Sequence, residues 1–324
     1  MVPIALKPRQ VVVAALIRDT QGRYLASQRP SGKQGAGMWE FPGGKLERGE
    51  SEQGALVREL REELGIEAIA MQPLPGWRGR DPDGIRLSFW GVDAFRGTAT
   101  PREGQGIRWC RPSELATMAF LPADAPIVAR LHLPPYYLIS TAAEIGEDAF
   151  LARLQAVLAE RPVLVQLREP WPLAQLQAFA RVVGDLCHRH GARLLVNAAA
   201  DEATGCADGV HLPARRLLDL HRRPAPQSVL VGASCHTLAE LEHADRIGCD
   251  FAVLSPVKAT PSHPDAIALG WGAFQDLAAA VSLPVYALGG MVWDDLARAR
   301  EAGGHGVAVR SGAFSAGGDT GGQD

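Results

Sequence analysis

The chain has 324 residues, a formal net charge of −3 at pH 7 and 47% hydrophobic residues. This length favours two domains, and the nearly balanced charge argues against duplex nucleic acid as a partner. No segment approaches the ~18 apolar residues of a membrane span, and the N-terminus lacks the pattern of a secretory leader. The five cysteines form no CxxC pair, so we expect reduced thiols, a cytoplasmic location and no membrane partner.

The first part of the chain has an α+β pattern of strands and helices. Apolar runs predict strands at Val11–Ile17, Arg86–Val92 and Ile107–Cys110. A helix is predicted directly after Ser51, which is a suitable N-cap, and Gly65 is a suitable stop. A second helix is predicted near residues 125–131.

The segment from Gly44 to Ile66 carries the most specific signal. It reads GKLERGESEQGALVRELREELGI and fits Gly-x5-Glu-x7-Arg-Glu-apolar-x-Glu-Glu-x-Gly-apolar at every fixed position. On the predicted helix, Glu59, Glu62 and Glu63 fall within an arc of roughly 100°, beside an apolar stripe that faces a core. Three carboxylates this close repel one another and need a cation, and oxygen ligands favour Mg²⁺ or Mn²⁺.

The residues around this helix favour a catalytic interpretation over an ordinary solvated Glu/Arg face. Arg58 can reach Glu62 or Glu50 and hold the carboxylates in place. Gly43 and Gly44 allow a tight loop whose backbone approaches a phosphate closely. Because all of these residues stand at fixed spacing, the pattern predicts a metal site at a phosphoanhydride.

Residues 9–132, above all MWEFPGGKLERGESEQGALVRELREELGI at 38–66, resemble the MutT-type Nudix hydrolases. The resemblance implies an α/β/α sandwich with a mixed sheet. It also implies Mg²⁺- or Mn²⁺-dependent hydrolysis of 8-oxo-dGTP to the monophosphate and pyrophosphate, a step of nucleotide-pool sanitisation and DNA repair. The implied metal ligands are Gly43, Glu59, Glu62, Glu63 and Glu103. The implied catalytic group is Glu59, Glu62 and Glu63 with Arg58, and either Glu59 or Glu103 is the general base. The implied substrate contacts are Arg29, Phe41, Gly43, Gly44 and Lys45.

One position departs from this family. The family reads the oxidised base with an Asn before the last helix, where this chain has Asp124. Asn both donates and accepts hydrogen bonds, whereas an ionised Asp only accepts. Asp124 must therefore stay protonated or pair with N–H groups of the base. Alternatively, Asp124 is the N-cap of the following helix, and the two roles are compatible.

From residue 136 onward, short apolar runs alternate with helical segments. The eight runs are Tyr136–Ser140, Val163–Arg168, Arg193–Asn197, Gly209–Leu212, Ser228–Ser234, Phe251–Ser255, Val285–Leu288 and Gly306–Arg310. Eight β-α steps predict a small (β/α)₈ TIM barrel, and an open doubly wound sheet is the alternative.

Residues 136–314 resemble thiamine phosphate synthase and its relative TenI, a thiazole tautomerase. The matching segments are YYLIS at 136, VQLRE at 165, VNA at 196, ADGVHL at 207, VGASCHTLAEL at 231, SPVKATPSHP at 255, PVYALGGM at 284 and HGVAVRSGAF at 305. Gly289, Gly290 and Ser311 follow the last two strands, where such barrels bind phosphate. They either hold the phosphate of a thiazole phosphate or serve close helix–strand packing.

The synthase pattern is incomplete in this chain. The family has Asp where this chain has Ala198, another Asp in the segment that here reads Pro213–Arg216, and Lys where this chain has Pro170. These losses predict a barrel without synthase activity. His236 matches the histidine of the tautomerase, and an imidazole suits proton transfer near neutral pH. A histidine that only packs at the start of a helix is the alternative.

The sequence thus predicts three segments: a Nudix domain at 1–133, a TenI-like barrel at 134–315 and a disordered tail at 316–324. The leading hypothesis is a pyrophosphohydrolase of oxidised nucleotides with an accessory barrel. One alternative is a thiamine-pathway enzyme that combines thiazole phosphate tautomerisation with clean-up of a pyrimidine pyrophosphate. The other is a barrel that only binds a phosphorylated metabolite.

Overall fold

The computed structural model describes residues 10–74, 86–197, 205, 207–226, 228–260 and 267–314. The chain divides into two compact units between His132 and Leu133. The predicted tail at 316–324 and Ala198 lie outside the described residues. Within the described ranges, no helix has the length and apolar character needed to cross a membrane.

The described residues of the first unit, 10–74 and 86–132, form two sheets and three helices. Its strands are β1 (Val11–Ile17), β2 (Tyr24–Gln28), β3 (Trp39–Glu40), β4 (Gly43–Lys45), β5 (Glu67–Pro73), β6 (Arg86–Arg96) and β7 (Gly106–Cys110). Its helices are α1 (Glu52–Leu64), α2 (Pro112–Leu115) and α3 (Ala125–His132). One sheet has the order β4-β1-β6-β5, with β1 parallel to β6 and antiparallel to β4, and the other has the order β3-β2-β7. The predicted mixed sheet is confirmed.

Strand β1 separates two apolar cores because its successive side chains point to opposite faces. Val13 and Ile17 pack in one core with the apolar stripe of α1, which includes Leu56 and Leu60. Ala14 and Leu16 pack in the other core, together with residues of α3. A layer of helix therefore covers each face of the sheet, as the predicted α/β/α sandwich requires.

Helix α1 begins and ends where the sequence predicts. The Ser51 Oγ accepts a hydrogen bond from the Gly54 N–H at 3.0 Å. Gly65 adopts the left-handed conformation with φ 67°, and its N–H donates to the Arg61 carbonyl. These caps fix which way the glutamates of α1 face, because they fix where the helix starts.

The second unit is a closed barrel of eight parallel strands. Its strands are β8 (Tyr136–Ile139), β9 (Val163–Leu167), β10 (Arg193–Val196), β11 (Gly209–Leu212), β12 (Leu230–Cys235), β13 (Phe251–Leu254), β14 (Val285–Ala287) and β15 (Gly306–Val309). Its helices are α4 (Ala142–Ile145), α5 (Glu147–Glu160), α6 (Leu173–Arg189), α7 (Ala214–Leu218), α8 (Leu238–Ile247), α9 (Gly270–Ala279) and α10 (Leu296–Glu301). Strand β15 pairs with β8 and closes the sheet. The predicted TIM barrel is confirmed, and closure excludes the open doubly wound sheet.

Aromatic side chains fill the interior of the barrel. Tyr137, Phe251 and Tyr286 pack with ring centroids 5.2 to 5.7 Å apart. The Tyr286 hydroxyl donates to the Pro134 carbonyl at 2.6 Å, and Leu133 packs in the same buried cluster. The residues that directly precede β8 therefore belong to the packing of the barrel.

Candidate active site

The first unit contains a cavity of about 650 Å³ beside α1. Five carboxylates line it, which are Glu40, Glu59, Glu63, Glu103 and Asp124. Three cations also line it, which are Arg29, Lys33 and Lys45, together with the glycine turn at Gly43 and Gly44. Most of the sequence-predicted residues of this unit are thus brought to one cavity, whereas Glu62 and Arg58 are not part of its lining.

The surroundings of the Glu63 carboxylate strongly disfavour its negative charge. Burial, followed by the nearby charges of Glu59, Glu40 and Glu103, raises the pKa of Glu63 to about 8. The Gly43 N–H donates to the Glu63 Oε2 at 3.2 Å and offsets only part of this effect. A cation beside these carboxylates would favour the ionised form of Glu63.

The glycine turn lets the carboxylates of α1 approach the backbone. A Cβ at Gly44 would lie 2.1 Å from the Glu59 Oε1, so no other residue fits there without displacing that carboxylate. A Cβ at Gly43 would lie 2.1 Å from the Val13 carbonyl oxygen. Both glycines are therefore required by close packing of the turn against α1 and β1.

Arg58 holds three glutamates at once. Its Nε and Nη2 contact the two carboxylate oxygens of Glu50 at 3.1 and 3.0 Å. Its Nη1 donates to Glu59 at 2.9 Å and to Glu62 at 3.2 Å. These bonds, first of all those with Glu50, raise the pKa of the guanidinium, which stays charged. The sequence left open whether Arg58 reaches Glu62 or Glu50, and it contacts both.

The donor atoms of this cavity fit a hard divalent cation in type. Glu59, Glu63 and Glu103 offer carboxylate oxygens, which Mg²⁺ and Mn²⁺ prefer. The Glu62 side chain is 54% exposed and lies against Arg58. Within the described residues, no three acidic, His or Cys side chains are already grouped as a finished metal site. Arg58 holds the charge of Glu59 and Glu62 in the arrangement seen here.

Glu103 lies on a loop that is fastened to the end of α1. The Gln105 side chain donates to the Glu63 carbonyl at 2.8 Å and accepts from the Glu103 N–H at 2.7 Å. The Glu103 carboxylate contacts the Lys33 Nζ at 3.2 Å. The sequence did not point to Lys33, because the run PSGKQGAG around it indicates a loop but not what that loop faces.

Asp124 lies at the other side of the cavity, immediately before α3. It is only 4% exposed. Burial and the charge of Glu40 raise the pKa of Asp124 to about 8, although its carboxylate accepts a hydrogen bond from the Phe41 N–H. The Phe41 ring packs beside it on Phe120, with centroids 5.2 Å apart. Its surroundings therefore favour the neutral form of the Asp124 carboxyl, next to an aromatic wall.

Arg29 and Glu40 form an ion pair in the lining of the cavity. The Arg29 Nε contacts the Glu40 carboxylate at 2.8 Å, and its Nη1 donates to the Gln34 carbonyl at 2.7 Å. Glu40 was not a predicted site residue. Strand β3, to which Glu40 belongs, has only two residues, so no alternation of apolar and polar residues indicates which way the Glu40 side chain points.

The predicted barrel residues follow three different strands on one face. Gly289 and Gly290 follow β14 with φ 100° and 62°, and Ser311 follows β15. His236 follows β12, and its Nδ1 lies 2.8 Å from the Ser255 carbonyl oxygen. Because all the barrel strands are parallel, these positions share the carboxyl-terminal face, where barrel active sites lie.

A buried polar chain lies inside the barrel beneath this face. The His211 Nδ1 lies 2.9 Å from the Tyr137 hydroxyl, and its Nε2 lies 2.9 Å from the Ser234 hydroxyl. Burial lowers the pKa of His211 to about 3, so the ring is neutral. Each ring nitrogen of His211 therefore has a hydrogen-bond partner, as buried polar groups require.

Comparison with known proteins agrees with this division of the chain. The family described as the NUDIX domain matches residues 8–131, and the family described as thiamine monophosphate synthase matches residues 136–313. Over 125 residues the chain is 44% identical to CTP pyrophosphohydrolase of Escherichia coli (strain K12), which covers 38% of this chain and 90% of that protein. The chain belongs to both families. Its Nudix domain makes it a hydrolase of phosphoanhydride bonds.

Two further relatives match one domain each. The Nudix domain is 35% identical over 127 residues to 8-oxo-dGTP diphosphatase of Escherichia coli (strain K12), which covers 39% of this chain and 98% of that protein. The barrel is 34% identical over 180 residues to putative thiamine-phosphate synthase 2 of Aquifex aeolicus (strain VF5), which covers 55% of this chain and 96% of that protein. The resemblances inferred from the sequence are confirmed.

Proposed function

We propose that the Nudix domain hydrolyses nucleoside triphosphates to the monophosphate and pyrophosphate, with 8-oxo-dGTP as the principal substrate. Glu59, Glu63 and Glu103 would hold Mg²⁺ or Mn²⁺, together with the Gly43 carbonyl and Glu62. A bound divalent cation supplies neutralisation of the phosphate charge. The proposal is supported chiefly by the half-buried Glu63 carboxylate, which accepts a hydrogen bond from the Gly43 N–H at 3.2 Å and lines the cavity together with Glu59.

Other residues of the Nudix domain would position Glu59, contact the phosphates and accept a proton. Arg58 positions Glu59 through its 2.9 Å contact and is a positioning residue. Lys45, which lines the cavity beside the glycine turn, would contact the phosphates. Glu59 or Glu103 accepts the proton of the attacking water, and both line the cavity.

Asp124 supports selection of the base. As a neutral acid it donates one hydrogen bond and accepts another, which are the roles of the Asn that the family uses. Guanine offers two acceptors at O6 and N7, whereas 8-oxoguanine carries a proton on N7 and so offers one acceptor and one donor. A neutral carboxyl is therefore complementary to the oxidised base and mismatched to guanine.

Cytosine nucleotides are the second candidate substrate. The amino group and N3 of cytosine also form a donor–acceptor pair, so a neutral Asp124 is complementary to them as well. The 44% identity to a CTP pyrophosphohydrolase favours this candidate. Phe41 lines the cavity and packs on Phe120 behind it, so its ring provides an apolar surface of the kind that either base would contact.

The experiment that tests this proposal compares kcat/KM for 8-oxo-dGTP, dGTP, CTP and hydroxymethylpyrimidine pyrophosphate with Mg²⁺. We expect 8-oxo-dGTP to be preferred over dGTP by roughly 10- to 100-fold, the value of one paired donor and acceptor. CTP as the best substrate would replace the first candidate by the second. A preference for the pyrimidine pyrophosphate would refute both and favour the thiamine-pathway alternative.

We further propose that the barrel binds a phosphorylated metabolite such as thiazole phosphate and lacks synthase activity. The turn at Gly289 and Gly290 and the helical turn at Ser311 follow the last two strands, which supports a phosphate site. Pro170 and Pro213–Arg216 stand where the synthases have charged ligands. We propose that the Nudix domain, predicted at 1–133, and the barrel, predicted at 134–315, act as separate functional domains, with Leu133 packed in the barrel.

The barrel proposal is tested with calorimetry and a synthase assay. We expect thiazole phosphate to bind and no thiamine phosphate to form when hydroxymethylpyrimidine pyrophosphate is added. His236→Ala then separates two roles, because loss of thiazole tautomerisation with retained binding would assign proton transfer to His236. Formation of thiamine phosphate would contradict the proposed absence of synthase activity.

A further inference from the structure

The ion pair between Lys33 and Glu103 joins the two loops that border the Nudix cavity. The Lys33 Nζ lies 3.2 Å from the Glu103 Oε2, and both residues line the cavity. One loop follows β2 and the other precedes β7. This pair is called the mouth bridge below.

The two loops are held differently. The Glu103 loop is fastened to α1, because the Gln105 side chain and the Arg102 N–H both donate to the Glu63 carbonyl, at 2.8 and 3.0 Å. The Lys33 loop is held from its own neighbours, including the contact of Arg29 with the Gln34 carbonyl. The backbone next to Glu103 is thus held by α1, and the Lys33 side chain contacts Glu103 from the other loop.

The mouth bridge is exposed enough to be broken at low cost. The Lys33 and Glu103 side chains are 56% and 45% exposed. Ion pairs with such exposure contribute little to stability because water and salt screen them. The mouth bridge is therefore poorly suited to a structural role. It does, however, engage the Glu103 carboxylate, which lines a cavity that contains four other carboxylates.

We propose that the mouth bridge lowers the affinity of the Nudix domain for its divalent cation. Lys33 neutralises Glu103 while the cation is absent, and the cation competes with Lys33 for the same carboxylate. Lys33 is therefore a positioning residue that acts through Glu103. This proposal rests on the proposed function in one respect, which is the role of Glu103 as a metal ligand.

The test measures Mn²⁺ binding to the full chain by electron paramagnetic resonance, without nucleotide. We expect Lys33→Met to lower the Kd for Mn²⁺ by about two- to fivefold, the strength of an exposed ion pair. The matched control is Arg108→Met, which removes an equally exposed pair with Glu114, 54% and 42% exposed, away from the cavity. This control should leave the Kd unchanged.

A double-mutant cycle separates the mouth bridge from a general effect of charge. Lys33→Met is compared in the wild-type chain and in a Glu103→Gln background. The gain in Mn²⁺ affinity should vanish without the Glu103 charge. A gain of the same size in both backgrounds, or an unchanged or higher Kd for Lys33→Met alone, would overturn the proposal.

The same cycle keeps this inference distinct from the proposed function. Glu103→Gln alone should weaken Mn²⁺ binding if Glu103 is a ligand. A weakened Glu103→Gln variant with an unaffected Lys33→Met variant refutes only the mouth bridge. An unaffected Glu103→Gln variant refutes the ligand role, and the mouth bridge with it.

Discussion

Glu63→Gln is expected to lower kcat for nucleotide hydrolysis by on the order of 10²–10³, the loss typical of removing one charge-stabilising group. Glu63 lines the cavity, accepts a hydrogen bond from the Gly43 N–H, and has a pKa that burial raises to about 8. Gln has nearly the same volume, and its carbonyl oxygen can still accept from the Gly43 N–H. Because a bound cation favours the ionised form of Glu63, the loss should come from the missing charge and not from misfolding.

The matched control for this variant is Glu67→Gln. Glu67 is exposed at the start of β5, just beyond the end of α1. It carries the same change of side chain without facing the cavity, so its kcat should equal that of the wild type. Mn²⁺ binding to Glu63→Gln, measured alongside kcat, shows whether removal of the Glu63 charge also weakens binding of the cation. A Glu63→Gln enzyme that keeps the wild-type kcat and Mn²⁺ affinity would refute the role of α1.

Asp124 is expected to make selection of the base depend on pH. Its pKa is raised from 3.8 to about 8, so the carboxyl is neutral below pH 8 and ionises above it. The ionised form only accepts hydrogen bonds. We therefore expect the preference for 8-oxo-dGTP over dGTP to fall as the pH rises through about 8. Asp124→Asn should keep the preference at pH 7 and remove its decline, whereas Asp124→Leu should lose roughly 10- to 100-fold in kcat/KM for 8-oxo-dGTP.

The stability of these variants tests the protonation of Asp124 without any substrate. Between pH 4 and pH 8 the unfolded carboxyl is ionised while the folded one is neutral, so unfolding releases a proton. The contribution of Asp124 to stability is thus fully present below pH 3.8 and is lost as the pH rises through about 8. The Tm of Asp124→Asn should rise relative to the wild type across this window. Parallel Tm curves for the two proteins would show that Asp124 is already ionised.

The fold was predictable because its signals are local and periodic. The strand Val11–Ile17 was predicted with the bounds that the structure has, since both of its faces are apolar and charge ends it. All eight barrel strands were found from short apolar runs between helical segments. Four strands of the first unit, β2, β3, β4 and β5, were not predicted. The strands β3 and β4 have only two and three residues and carry no periodicity, and β5 has no buried residue to mark one of its faces.

The residues that line the cavity could be predicted together only where they lie on one helix, α1. Glu59 and Glu63 share a stripe of α1, so their proximity follows from the sequence. Glu62 belongs to the same stripe, yet Arg58 draws it toward the exposed side, which the spacing alone does not reveal. Lys33 and Glu40 reach the cavity from separate loops and strands, and such long-range pairing is set by the tertiary structure.

Metal binding by the α1 glutamates is tested by anomalous diffraction from a crystal grown with Mn²⁺ and a non-hydrolysable nucleoside triphosphate. We predict that Mn²⁺ is bound by the glutamate carboxylates of α1, beside the glycine turn and in contact with the triphosphate. Well-ordered nucleotide in this cavity with no Mn²⁺ near Glu59 or Glu63 would contradict it.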